Sequence, residues 1–102
     1  MRKLPKNRLE ILKQLAKTFK AINSVENLDL LIQIAKKPIL TTKLKSDLAK
    51  MSLNRRLNIL RDVGLINRDY IKGKNHPGIE NMISKNAKPL CFMLKNVLMR
   101  IR

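Results

Sequence analysis

The most informative chemistry in this chain lies between residues 54 and 61. Asn54, Asn58 and Arg61 recur at i, i+4 and i+7, a spacing that places them on one helix face, with Arg55 beside them. Leu53, Leu57, Leu60 and Val63 form a separate apolar stripe on the same predicted helix. In the major groove of duplex DNA, arginine can hold guanine and asparagine can hold adenine, each through two hydrogen bonds. Asn54, Arg55 and Asn58 are therefore the expected base readers. Arg61 is expected to reach a phosphate or pair with a neighbour. An ordinary solvated helix face is the competing explanation for each of the four.

A second group fits phosphate better than bases. Lys72, Lys74, His76, Lys85 and Lys88 surround a turn cluster with Gly73 and Gly78. Lys43 and Lys45 follow Thr41 and Thr42, whose hydroxyl and backbone N–H groups can also hold an anion. Phosphate contacts of this kind supply affinity and register without reading sequence. The expected DNA-binding set is thus Thr41, Thr42, Lys43, Lys45, Asn54, Arg55, Asn58, Arg61, Lys72, Lys74 and Lys85.

Other reactive residues point to little. His76 precedes Pro77 in a turn and is expected to face solvent. Cys91 lies between Leu90 and Phe92 and is expected to be a small core or interface residue. A single cysteine excludes an intrachain disulfide and makes a reducing, cytoplasmic setting the default expectation. One histidine and one cysteine do not make a zinc site, so no metal or cofactor is expected. Met51, Met82, Met93 and Met99 are expected to fill a core or an interface. There is no glycine-rich phosphate loop, no H-E-x-x-H and no recognisable carboxylate pair, so an enzyme is not expected. Aromatic residues are 3% of the chain, which disfavours the stacking platforms of single-strand binders.

The elements that must position these residues are mostly helical. Leu9, Leu12, Ala16, Phe19 and Ile22 predict an amphipathic helix over about 7–23 with a lysine-rich outer face. Ser24 or Asn27 caps a second helix through Leu28, Leu31, Ile32 and Ala35, which Pro38 stops. Thr41 or Thr42 begins a short third helix through Leu44 and Leu48. Ser52 caps a fourth that ends at Gly64. Residues 65–71 read as a strand and 72–78 as a turn. Residues 79–87 fit no element clearly. Residues 88–94 read as a second strand, with a helix from Pro89 as the alternative. Residues 96–102 read as a short helix.

Length and charge agree with that organisation. A chain of 102 residues supports one domain with one core, expected to span 1–102. No apolar run approaches the length of a membrane span. The start, Met1-Arg2-Lys3-Leu4-Pro5, has no apolar stretch like that of a signal peptide. The formal net charge is +16, from 23 basic and 7 acidic residues. Solubility needs much less, so the excess points to a polyanionic partner. Residues 21–35 carry only Glu26 and Asp29, between strongly basic flanks.

This order of elements, with the run Arg56-Leu57-Asn58-Ile59-Leu60-Arg61-Asp62-Val63-Gly64-Leu65-Ile66, resembles the winged helix-turn-helix superfamily, in particular small ArsR- and MarR-like regulators. The resemblance covers about residues 24–102, and the first helix is an addition to it. It implies a mainly α fold with a small β-hairpin wing. It also implies a recognition helix at about 52–63 within a helical core over 24–64, a wing over 65–95 and a C-terminal segment over 96–102. The basic wing would then lie along the backbone or in the minor groove. Two features depart from the pattern: the stretch from Leu44 to Leu57 is short, and Ala49-Lys50-Met51 replaces the glycine-containing turn. ArsR-type metal sensing needs a ligand cluster that this chain lacks. Regulators of this fold commonly dimerise, and the first helix and the C-terminal segment, with Leu98 and Ile101, are the expected surfaces. The expected function is double-stranded DNA binding in transcriptional regulation, with no membrane or small-molecule partner. A sequence-neutral architectural or RNA-binding protein is the main alternative. A module that docks on membranes or proteins through the basic first helix is a third.

Overall fold

The computed structural model describes residues 4–72 and 77–101, and within them the side chains of 8–72, 77–97, 99 and 100. The first helix, α1 (Leu4–Ile22), ends with Lys20 in its last turn, where a cation suits the helix dipole. Next comes α2 (Val25–Lys36). Ser24 is its cap: the extended backbone at this residue lets Oγ accept from the Asn27 N–H at 3.3 Å. Leu30, Leu31 and Ile34 are buried along α2, which makes it the central helix.

Beyond Pro38 the chain forms a two-residue strand, β1 (Ile39–Leu40), absent from the sequence reading, and a single 3-10 turn at Thr41–Lys43. The expected helix through Leu44 and Leu48 does not form. Local side-chain bonds hold the backbone on another path. The Gln33 amide accepts from the Lys45 N–H at 3.0 Å and donates to the Lys45 carbonyl at 2.8 Å. Ser46 Oγ accepts from the Leu48 N–H at 3.0 Å. Bonds of this kind compete directly with helical ones. Leu44 still reaches the core.

The third helix, α3 (Lys50–Asp62), starts two residues before the expected cap. Ala49 is the N-cap residue, its carbonyl accepting from Leu53 N–H at 2.8 Å, and Ser52 lies inside the first turn. The helix ends as its glycine predicts. Gly64 has φ +84°, Leu65 N–H reaches the Leu60 carbonyl at 3.0 Å, and Gly64 N–H reaches that of Arg61 at 2.9 Å. This paired closure is the Schellman motif, which favours a residue without Cβ.

The wing is a hairpin of β2 (Ile66–Ile71) and β3 (Gly78–Ile83), in register from Ile66↔Ile83 to Ile71↔Gly78. β1 pairs with the other edge of β3, giving a three-stranded antiparallel sheet in the order β1-β3-β2. The second wing strand therefore lies at 78–83 rather than at 88–94. It escapes the periodicity test because its one fully buried side chain is Asn81.

Residues expected as that strand and as the end of the wing belong to α4 (Lys88–Ile101). Leu90, Phe92 and Leu94 do alternate, but leucine, methionine and lysine favour helix, and Pro89 in a first turn forfeits no hydrogen bond. Helical spacing then turns Cys91, Leu90 and Leu94 toward the core and leaves Phe92 68% exposed. The core unites Leu30, Leu31 and Ile34 of α2, Leu53, Leu57 and Leu60 of α3, Leu65 and Ile66, and Ala87 and Cys91. Burial holds the Cys91 thiol pKa above its ordinary value, against a weaker opposing pull from Lys95. Among the described residues no helix is long and apolar enough to cross a membrane, and no three His, Cys, Asp or Glu side chains cluster as metal ligands would.

Candidate nucleic-acid interface

The helix expected to read bases is fixed on one side by leucines and on another by a polar cluster. Leu53, Leu57 and Leu60 anchor α3 in the core. The cluster centres on Arg68, which shares its strand face with the buried Ile66. Arg68 Nε donates to Asn81 Oδ1 at 2.7 Å, and Nη1 donates to Asn58 Oδ1 at 2.7 Å. Nη2 donates to Asn54 Oδ1 at 2.9 Å and to Thr41 Oγ1 at 3.1 Å. Four side-chain oxygens from α3, β3 and the 3-10 turn thus converge on one guanidinium, whose planar fork can serve them all.

Asn81 completes the cluster. Its Nδ2 donates to the Ile39 carbonyl at 3.1 Å and to Thr41 Oγ1 at 3.0 Å. Thr41 Oγ1 in turn donates to the Ile79 carbonyl at 3.3 Å. All the partners of Arg68 are neutral. Burial lowers its pKa below the ordinary arginine value, and the nearby Arg61 charge lowers it further. A guanidinium nevertheless stays protonated at neutral pH. The junction between α3 and the sheet is therefore cationic.

The residues expected to bind DNA fall into three groups. Thr41, Asn54 and Asn58 are brought together, but their oxygens face Arg68. Asn54 also spends an amide N–H on the Lys50 carbonyl at 3.0 Å. Arg55, Thr42, Lys43, Lys45, Lys72 and Lys85 are exposed. Arg61 is also exposed and forms an ion pair with Asp62 at 3.0 Å, the one ion pair among the described residues. Lys74 and His76 lie outside the described residues.

Sequence reasoning missed Arg68, Asn81 and Arg56. Period-two alternation from Ile66 does aim Arg68 inward, and an inward arginine needs partners. Arg56 Nη1 donates to Ser24 Oγ and to Asn27 Oδ1, both at 3.1 Å. Asn27 is buried and donates to the Ala21 carbonyl at 2.6 Å. Arg56 thereby fastens α3 to the junction of α1 and α2.

The outward face of α3 carries Met51, Arg55 and Ile59, at i, i+4 and i+8, with Asn54, Asn58 and Asp62 lining it beside them. Met51 is 84% exposed and Ile59 40%. Elsewhere, α1 and α4 flank a groove bordered by Leu15, Phe19, Ile22, Ala87 and Leu90. Leu9, Leu12, Leu15 and Phe19 of α1, and Phe92, Met93, Val97 and Met99 of α4, are exposed apolar side chains.

No family sequence model matches the chain, and no curated protein matches it in sequence. Solved structures do match its fold. Reduced HlyU from Vibrio cholerae is 19% identical, with a TM-score of 0.72 over 95% of this chain and 97% of that one. An ArsR-like transcriptional regulator from a Rhodococcus species is 16% identical, with a TM-score of 0.67 over 90% and 82%. The transcriptional repressor BigR from Xylella fastidiosa is 14% identical, with a TM-score of 0.69 over 91% and 94%. With α2, α3 and α4 around a shared core and a β-hairpin between α3 and α4, this protein has the winged helix fold seen in these regulator structures, the ArsR-like one among them.

Proposed function

We propose that the chain binds double-stranded DNA and regulates transcription. The observation that carries this reading is a charge of +16 with one internal ion pair among the described residues, on a fold shared with transcriptional regulators. Cations that lack acidic partners in the protein are free to release counterions from a polyanion. In this reading α3 lies in the major groove and Arg55 holds a guanine edge. Asn54 and Asn58 present only what Arg68 leaves free. Thr42, Lys43, Lys45, Arg61, Lys72, Lys74 and Lys85 hold phosphates, and the wing follows the backbone.

The protein acts as a homodimer. Phe19 (61% exposed), with Leu9, Leu12 and Leu15 on α1, and Phe92, Met93 and Val97 on α4, leaves apolar surface that a second copy would cover. A two-fold pair would set two copies of α3 about 34 Å apart, one turn of DNA, and favour a palindromic site.

Binding of a mixed-sequence duplex, followed by fluorescence anisotropy over a range of salt, tests the reading. Affinity should fall linearly on a log–log plot, and Lys43→Ala or Lys72→Ala should each flatten the slope by about one. Single-stranded RNA that binds as tightly as duplex DNA would favour the RNA alternative.

A further inference from the structure

The exposed face of α3 is an unusual surface for a groove-binding helix. Its outermost stripe is methionine, arginine, isoleucine, with one hydrogen-bonding side chain between two apolar ones. The asparagines beside it already spend one lone pair of Asn54 Oδ1 and of Asn58 Oδ1 on Arg68, so the two-bond contact with adenine, which needs amide oxygen and nitrogen together, competes with that cluster. Asp62, where the stripe ends, is occupied by Arg61. The stripe itself offers base edges a cation flanked by apolar groups, beside the amide nitrogens that Arg68 leaves free.

Duplex DNA offers one apolar group in its major groove, the C5-methyl of thymine. The spacing suits it. Four residues of helix advance about 6 Å, close to two base-pair steps of about 3.4 Å each. We propose that Met51 and Ile59 contact thymine methyls lying about two base pairs to either side of a guanine held by Arg55, so that α3 selects a T-rich half-site through methyl contacts rather than through adenine hydrogen bonds. The proposal rests on the DNA-binding reading above and specifies what that site recognises.

Uracil, which is thymine without the methyl, provides the test. A random duplex pool is selected with the full chain at about 150 mM salt. The enriched duplex is then remade with uracil at each thymine in turn, and binding is measured by anisotropy. Removing a contacted methyl should weaken binding about fourfold, the equivalent of one buried methylene. Met51→Ala and Ile59→Ala should each lose sensitivity to one such replacement; both side chains are exposed, and an unchanged melting temperature confirms folding. Equal binding of thymine and uracil duplexes, with Arg55→Ala still weakening both, would overturn the methyl contacts and leave the DNA reading standing. Failure of the wild-type protein to bind any duplex in the pool would overturn both.

Discussion

Arg68 Nη1 and Asn58 Oδ1 are 2.7 Å apart, and this bond joins the first wing strand to the helix expected to enter the groove. Through the same guanidinium the helix is tied to β3 and to the 3-10 turn. The orientation of α3 relative to the wing is thus set by one side chain as well as by the leucine core. Replacing Arg68 with methionine would strip the buried Asn81 oxygen of its donor and leave Asn54 and Asn58 without theirs. The expected cost is about 2 kcal/mol, given that hydrogen bonds to charged groups contribute ~1.5–3 kcal/mol. Lysine should not rescue it, because an ammonium cannot reproduce the planar fork. Chemical denaturation of Arg68→Met and Arg68→Lys checks both statements.

Gly64 should tolerate substitution poorly for a backbone reason alone. Its φ is +84°, and a Cβ built there meets nothing within 4 Å. Gly64→Ala should therefore cost about 1–2 kcal/mol, the left-handed penalty of an ordinary residue. Gly64→Asn should cost less, since asparagine visits that region more readily. Thermal unfolding of the two variants separates backbone strain from packing.

The apolar stripes of α1 and α4 predict the oligomeric state. Wild-type protein should sediment as a dimer at micromolar concentration. Phe19→Glu combined with Phe92→Glu should sediment as a monomer with an intact helical circular-dichroism spectrum, since both side chains are exposed in the single chain. A wild-type monomer at high concentration would sink the dimer.

Two groups give the stability a pH dependence of known sign. The Cys91 pKa is raised, so the folded state favours the neutral thiol. Its contribution is complete below the ordinary thiol pKa and is lost as pH climbs from there through the raised value. The Glu26 pKa is lowered, first by its backbone hydrogen bond and then by Ser24 Oγ. Its contribution is present above the ordinary carboxylate range and is lost as pH falls through the lowered value. Cys91→Ala should remove part of the alkaline decline seen in urea midpoints, and Glu26→Gln part of the acid one.

Much of the fold was legible where one physical signal dominated. The leucines at 53, 57 and 60 with Gly64 define α3 and its end, Ser24 marks the start of α2, and the branched residues after Gly64 mark β2. The signal failed where polar side chains do structural work. β3 has Asn81 at its innermost position, so no apolar alternation announces it. The 88–94 stretch satisfies both periods, and only packing on the core decides for the helix. The missing third helix reflects Gln33, twelve residues away, gripping the backbone of Lys45. The exposed, cationic character of the surface was readable from Arg55 and the lysines. Arg68 was not singled out, since in sequence it is one cation among 23.

The most direct measurement is selection of bound duplexes from a random pool at about 150 mM salt, with Arg55→Ala run beside the wild-type chain. Sequence-reading DNA binding predicts an enriched motif containing a guanine. At that one base Arg55→Ala should relax the preference, at a cost of ~1–3 kcal/mol, while other positions hold. Tight binding with no enriched motif, indifferent to Arg55→Ala, would contradict it and make the protein a sequence-neutral binder.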